Sequence, residues 1–294
     1  MHQEVQSSRL KVPGATIYHE ARGEGPLLLI IPGGPQDAGV FAGLAQLLAD
    51  RYKVVAYDPR GNSRSAFDGE PTELNVDMQA DDAARLIEEL GAGPAHVFGT
   101  SGGAQIGLSL AARHPERVAV LVAHEPPAIN MLDDPSAELA AAKEIHDVYR
   151  SQGVDAAMAR FFAINGLEGG PGGEDGPPEF EPSPEDAETF ARVSGNFDYW
   201  LAHGIMPLSL YRPDVETLRK GRPRVIVGIG EQSEGQPIYD MGLAVAKGLG
   251  SEPQMFPGDH MGFELHAELF AETLHQAFSA DDLKKNDARR AGTA

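Results

Sequence analysis

Cysteine is absent from the 294 residues, which excludes disulfides, thiolate metal sites and a cysteine nucleophile. Basic residues are scarce: 24 Lys and Arg stand against 44 Asp and Glu, a formal net charge of −20. Such a surface repels nucleic acid and anionic membranes, so neither is an expected partner. Much of the acid lies in segments that read as solvated, Asp77 to Asp82, Asp133-Asp134 and Glu168 to Glu188. No apolar run approaches the roughly 18 residues of a membrane-crossing helix. Met1 to Lys11 is polar where a signal peptide would be apolar, so a cytoplasmic protein is expected. A Walker loop and a dinucleotide fingerprint are missing, and no His-x-x-x-His pair has a third ligand, so neither cofactor nor metal is expected.

What the chain does have is a core: 41% of its residues are hydrophobic, enough for one large domain or one domain with an insertion. Val5 to Val12 and Thr16 to Ala21 flank Pro13-Gly14-Ala15 and read as a hairpin. Leu27 to Ile31 is a continuous apolar run suited to a strand covered on both faces. A helix is expected from about Phe41 to Arg51. Further strands are expected at Lys53 to Tyr57, Ala95 to Phe98, Val118 to Ala123, Arg224 to Ile229 and Pro253 to Phe256. Helical spacing over Val76 to Leu90, Ile106 to Arg113, Ile238 to Leu249 and Phe263 to Phe278 alternates with them. Strands alternating with helices imply a mostly parallel sheet. Between Pro126 and Arg219 the pattern is helical only, with helices expected at Ala137 to Gln152, Val154 to Asn165, Pro184 to Leu201 and Ile205 to Leu218. The Gly-, Pro- and acid-rich piece Gly166 to Pro184 reads as a flexible loop, and the tail Ser279 to Ala294 as frayed.

Gly99-Thr100-Ser101-Gly102-Gly103 stands between the strand at Ala95 to Phe98 and the helix at Ile106 to Arg113. Strand, sharp turn and helix form the setting of a nucleophile elbow. The turn is tolerable only if the serine's neighbours are very small, which Gly99 and Gly103 are. Ser101 would then sit at a helix start, where the Gly102 N–H and the helix dipole can stabilise an oxyanion.

Four features in order, Pro32-Gly33-Gly34-Pro35, Asp58-x-Arg60-Gly61, the Ser101 elbow and Gly258-Asp259-His260, make the chain resemble the α/β-hydrolase superfamily from about Leu10 to Phe278. The resemblance implies an α/β fold with a mostly parallel eight-stranded sheet, helices on both faces, and a helical cap inserted after the sixth strand. The core would be residues 1–125 and 220–294, the cap 126–219. The Pro32 turn resembles the family's His-Gly-x-Pro oxyanion loop with Pro32 in the histidine's place, which implies Gly34 N–H as the donor facing Gly102 N–H. The Asp58 loop has Ser63 where the family often has a second glycine, and is expected to support structure through ion pairs of Asp58 and Arg60.

Ser101 needs a base, because an alcohol is protonated at neutral pH. His260, in a tight loop after the last strand, occupies the family base's place, with His124 in reserve. The family's usual acid position, in Gly230-Glu231-Gln232-Ser233-Glu234, holds the neutral Ser233. Glu234 or Glu231 could supply the acid. The favoured candidate is Glu125, at the end of the sixth strand, a placement similar to one branch of the haloalkane dehalogenases. Those enzymes use an aspartate nucleophile, whereas Ser101 suits acyl transfer. The expectation is therefore a cofactor-free serine hydrolase of a carboxylic ester or lactone. C–C hydrolysis, perhydrolysis, a cofactor-free oxygenase or cyclase, and a receptor with a hydrolase pocket are the rivals. A small-molecule partner with an apolar or aromatic group is expected, lined by His124, Phe161, Trp200, Met206 and Met261; a homodimer stays open.

Overall fold

The computed structural model describes residues 4–91, 93–165 and 183–291, with side chains up to Ser279 in the last helix. Eight strands form one path across a twisted sheet: β1 (Gln6–Val12), β2 (Ala15–Arg22), β4 (Lys53–Tyr57), β3 (Leu27–Ile31), β6 (Ala95–Thr100), β7 (Val118–His124), β8 (Arg224–Gly230) and β9 (Gln254–Phe256). The two-residue β5 (Ala66–Phe67) pairs with β2 off this path and was not legible, because two residues carry no periodicity. The β1–β2 hairpin and the β2–β4 pair are antiparallel. All other pairings along the path are parallel, as right-handed helical crossovers require.

The apolar run of β3 serves two cores. Leu27, Leu29 and Ile31 face one side, packed with Leu86 and Ile87 of α2 (Val76–Leu90) and Leu108 of α3 (Gly102–Arg113). Leu28 and Ile30 face the other, packed with Leu44 and Leu48 of α1 (Ala42–Leu48) and with Phe270 and Phe278 of the closing helix. A strand buried on both faces needs apolar residues at every position, so it shows no alternation.

Between β7 and β8 lie α4 (Ser136–Gln152), α5 (Val154–Ile164), α6 (Pro184–Gly195), α7 (Phe197–Tyr199), a π-helical turn (Trp200–Gly204), α8 (Ile205–Leu210) and α9 (Val215–Lys220). The single helices expected over 184–201 and 205–218 are each broken. Asn196 interrupts the first. In the second, Pro213 cannot donate to the helical ladder and restricts the residue before it, so α8 and α9 separate. The loop expected at Gly166 to Pro184 lies outside the described residues until Ser183, which opens α6 with a capping box to Asp186. Beyond β8 come α10 (Pro237–Leu249), α11 (Gly262–Leu265) and α12 (Ala267–Ala291). The helix expected over 263–278 is thus split at His266, and its backbone continues to Ala291 where a frayed tail was expected. Among the described residues no helix is long and apolar enough to cross a membrane.

Candidate active site

Ser101 joins β6 to α3 with φ 53° and ψ −127°, a backbone conformation that non-glycine residues rarely adopt. Its neighbours must be glycine. A Cβ on Gly99 would lie 2.4 Å from the Gly103 carbonyl oxygen, and one on Gly103 would lie 2.1 Å from that of Ile31. The Ser101 N–H donates to the His124 carbonyl of β7 at 2.9 Å, which pins the elbow to the sheet.

Gly34 lies beside this turn in a left-handed conformation (φ 47°), and its nitrogen stands 3.2 Å from where a Gly102 Cβ would be. The Gly34 and Gly102 backbones thus lie close together at the start of α3, where the helix dipole adds partial positive charge. Polar side chains hold the turn. Asn62 Nδ2 donates to the carbonyls of Gly34 and Gln36, both at 3.0 Å, and Gln36 Oε1 accepts from Gly33 N at 3.2 Å.

Glu125 follows β7 directly, is fully buried and has φ 45°. Its Nδ1-facing oxygen, Oε2, lies 2.7 Å from His260 Nδ1. Its other oxygen, Oε1, accepts from the Gly230 N–H at 2.8 Å. Burial alone would raise this carboxyl. The hydrogen bond with His260 and the neighbouring imidazoles outweigh it and hold the pKa down at about 2. The carboxylate is thus ionised at neutral pH and fixes which imidazole nitrogen is free. Ser101, His260, Gly34 and Gly102 all line one cavity of about 310 Å³.

Of the alternative acids, Glu231 and Glu234 are exposed on the loop after β8, and neither bonds to His260. Of the expected cavity residues, Phe161 and Trp200 line it, edge to face with ring centroids 5.0 Å apart. Three others do not. His124 is fully buried behind the site, boxed by Phe98, Phe256 and Phe270. Its ring stacks on that of His260, with centroids 6.3 Å apart, and its Nδ1 lies 3.1 Å from Thr100 Oγ1, so it backs the site without lining the cavity. Burial lowers its pKa to about 4, which makes it a weak base, and it does not line the cavity that holds Ser101, so it does not fit the reserve-base role. Met206 packs into the cap-side core, because the helical period of α8 turns Ile205 and Leu208 to the cavity instead. Met261 packs near the α1 side, its sulfur 3.9 Å from Gln36 Nε2. The Asp58 loop carries the expected ion pairs: Asp58 binds Arg64 at 2.8 Å, and Arg60 binds the buried Asp82 of α2 at 2.8 Å.

Several contributors were not foreseen. The Gly230 N–H is a main-chain group, which residue type cannot announce. Pro237, Ile238 and Met241 of α10 form a cavity wall, and their signal would have been that α10 starts directly after the β8 loop. The indole N–H of Trp200 is buried without a protein partner, and a Cβ on Gly34 would lie 3.5 Å from it. Among the described residues no cluster of His, Asp and Glu could hold a metal ion.

Residues 26–165 match the family described as the alpha/beta hydrolase fold. An uncharacterized hydrolase, YraK, of Bacillus subtilis (strain 168) is 33% identical over 277 residues, covering 92% of this chain and 95% of the relative. The chain belongs to the α/β-hydrolase family. A zearalenone hydrolase of Bionectria ochroleuca is 27% identical over 265 residues, covering 88% of this chain and 92% of that one. The crystal structure of the enol-lactonase from Burkholderia xenovorans LB400 superposes with a TM-score of 0.67 at 17% identity, covering 92% of this chain and 100% of the other.

Proposed function

We propose that this protein is a serine hydrolase that cleaves a carboxylic ester or lactone through an acyl-enzyme intermediate. The observation that carries the reading is the 2.7 Å contact between the buried Glu125 carboxylate and His260 Nδ1, in a site whose cavity also holds Ser101 at a strained elbow. Ser101 Oγ attacks the carbonyl carbon and its proton passes to His260 Nε2. The carbonyl oxygen becomes an oxyanion held by the N–H groups of Gly34 and Gly102. The intermediate collapses, the C–O bond to the alcohol breaks, and the imidazolium returns the proton to the departing oxygen. In a lactone that alcohol stays tethered to the acyl group. Water, deprotonated by His260, then attacks the acyl-serine and frees Ser101. Glu125 remains ionised throughout and stabilises the imidazolium.

The cavity walls support a neutral, largely apolar substrate. Ile129, Ile145, Ile164, Leu208 and Phe161 line it; among the described residues Glu138 is its one carboxylate, and neither Lys nor Arg lines it. An anionic acyl group would be desolvated there without a counter-charge. The similarity to a zearalenone hydrolase and to an enol-lactonase favours an ester closed into a ring.

The test is hydrolysis of p-nitrophenyl butyrate and of a neutral lactone by wild-type protein and Ser101→Ala. The reading expects the substitution to remove at least 1,000-fold of the rate, in line with removal of a triad member. Equal rates would defeat it, and cleavage of a 1,3-diketone in preference to either ester would move the reaction to C–C bonds.

A further inference from the structure

One motif stands outside the mechanism: Ser63, which replaces the glycine that the family often places there. Its φ is 47°, a left-handed conformation that a non-glycine residue keeps only when its surroundings hold it. What holds it comes from the cap region. Asn196, at the junction of α6 and α7, accepts from the Ser63 N–H through Oδ1 at 2.7 Å and donates from Nδ2 to Ser63 Oγ at 2.9 Å. The same Nδ2 donates to the Pro35 carbonyl, one residue beyond the oxyanion donor Gly34, at 2.8 Å. Asn196 is buried, and the full capacity of its amide nitrogen is spent on these two acceptors.

The consequence is a closed set of ties around Gly34. Its own carbonyl is held by Asn62, the neighbour of Ser63. The next carbonyl is held by Asn196. Two residues further on, the fully buried Asp37 is held by Arg192 of α6 at 2.7 Å. Four residues after Asn196, and bonded to its carbonyl through the backbone at 3.0 Å, Trp200 lies against Gly34. One stretch, Arg192 to Trp200, therefore both fastens the oxyanion turn and walls the cavity.

We propose that Asn196 is a positioning residue for the oxyanion hole, so that the Gly34 N–H is correctly aimed only while this stretch is docked on the Pro32–Asp37 turn. This rests on the ester-hydrolase reading above. Misaiming one donor weakens binding of the tetrahedral oxyanion more than binding of the flat ester, so the loss belongs in kcat.

The experiment measures p-nitrophenyl butyrate hydrolysis, together with inhibition by an alkyl trifluoromethyl ketone, whose hemiketal oxyanion with Ser101 occupies the hole. Asn196→Ala should lower kcat at least tenfold with KM changed less than threefold, and weaken the ketone by the same factor as kcat/KM. Adding Ser63→Gly should restore several-fold, because glycine adopts the left-handed conformation unaided. Should Asn196→Ala fail to fold, Asn196→Asp keeps the shape and the acceptor for Ser63 N but cannot donate to Pro35, and the same kcat loss is expected. A kcat within twofold of wild type would overturn the proposal. So would a loss confined to KM, or a double variant no better than the single. If wild type and Ser101→Ala hydrolyse the ester equally, the hydrolase reading falls and takes this one with it; if only Asn196 is silent, the hydrolase reading stands.

Discussion

The Glu125 carboxylate bridges two parts of the chain: one oxygen meets the His260 imidazole at 2.7 Å, the other accepts the Gly230 N–H at 2.8 Å. The tie to β8 fixes the carboxylate independently of the histidine. Glu125→Gln keeps the shape but removes the charge that stabilises the imidazolium and can impose the wrong tautomer. We expect kcat to fall by about 1,000-fold or more with KM changed only a few-fold, by analogy with loss of a triad acid. Glu231→Gln and Glu234→Gln, at exposed positions, should stay within about twofold. Steady-state kinetics on one ester ranks the three, and the opposite order would move the acid to the loop after β8.

A second expectation concerns charge in the cavity. A p-nitrophenyl monoester of adipic acid should be a far poorer substrate than p-nitrophenyl hexanoate, by about 30-fold in kcat/KM, since a buried uncompensated carboxylate costs about 2 kcal/mol or more. Glu138→Lys should narrow that gap, because Glu138 is the one carboxylate on the wall among the described residues. A gap unchanged by the substitution would show that the acyl group does not reach α4.

Acid sensitivity should trace in part to His124. Its pKa is about 4 in the folded protein because burial penalises the charged form, against an ordinary 6.5. Between those values the unfolded chain binds a proton that the folded one does not, so stability rises with pH across the window. This contribution is complete above pH 6.5 and is lost as pH falls toward 4. From pH 7 to pH 4, urea unfolding of the wild type should lose about 3 kcal/mol more than unfolding of His124→Phe. Parallel curves for the two proteins would contradict this.

The elbow glycines should be intolerant. A Cβ on Gly103 would lie 2.1 Å from the Ile31 carbonyl oxygen and 2.5 Å from that of Pro32, both main-chain atoms that cannot step aside. Gly103→Ala should cost about 3 kcal/mol or leave no folded protein, at the upper end for overpacking. Gly43→Ala is the control: it lies in α1 with nothing within 4 Å of the new methyl, and should be neutral or stabilising by about 0.5–1 kcal/mol. Thermal melting of the pair checks both.

The sheet and the elbow were legible because their signals are local. Doubly buried strands are apolar at every position, and a strained serine demands small neighbours within two residues. The Ser101, His260 and Glu125 positions followed from strand ends, which a parallel sheet gathers along one edge. The cavity wall was legible only in part. His124 and Glu125 are consecutive at a strand end and both meet His260, and nothing in residue type says that the imidazole stays behind the cavity wall. Met206 and Ile205 are equally apolar, so composition does not say which faces the cavity. The Asn196 ties join positions more than 130 residues apart, and nothing in a neutral asparagine announces a partner at that range. Helix ends were misread where a single residue, Asn196, Pro213 or His266, interrupts an otherwise sustained period.

The central claim is that Ser101 becomes covalently acylated, and the most direct measurement is the intact mass of the protein after brief mixing with an alkyl fluorophosphonate, followed by peptide mapping. The account predicts one adduct per chain, on the peptide carrying Ser101, formed in step with loss of ester hydrolysis and absent from Ser101→Ala. An adduct at another residue, or full hydrolytic activity in the fully labelled protein, would contradict it.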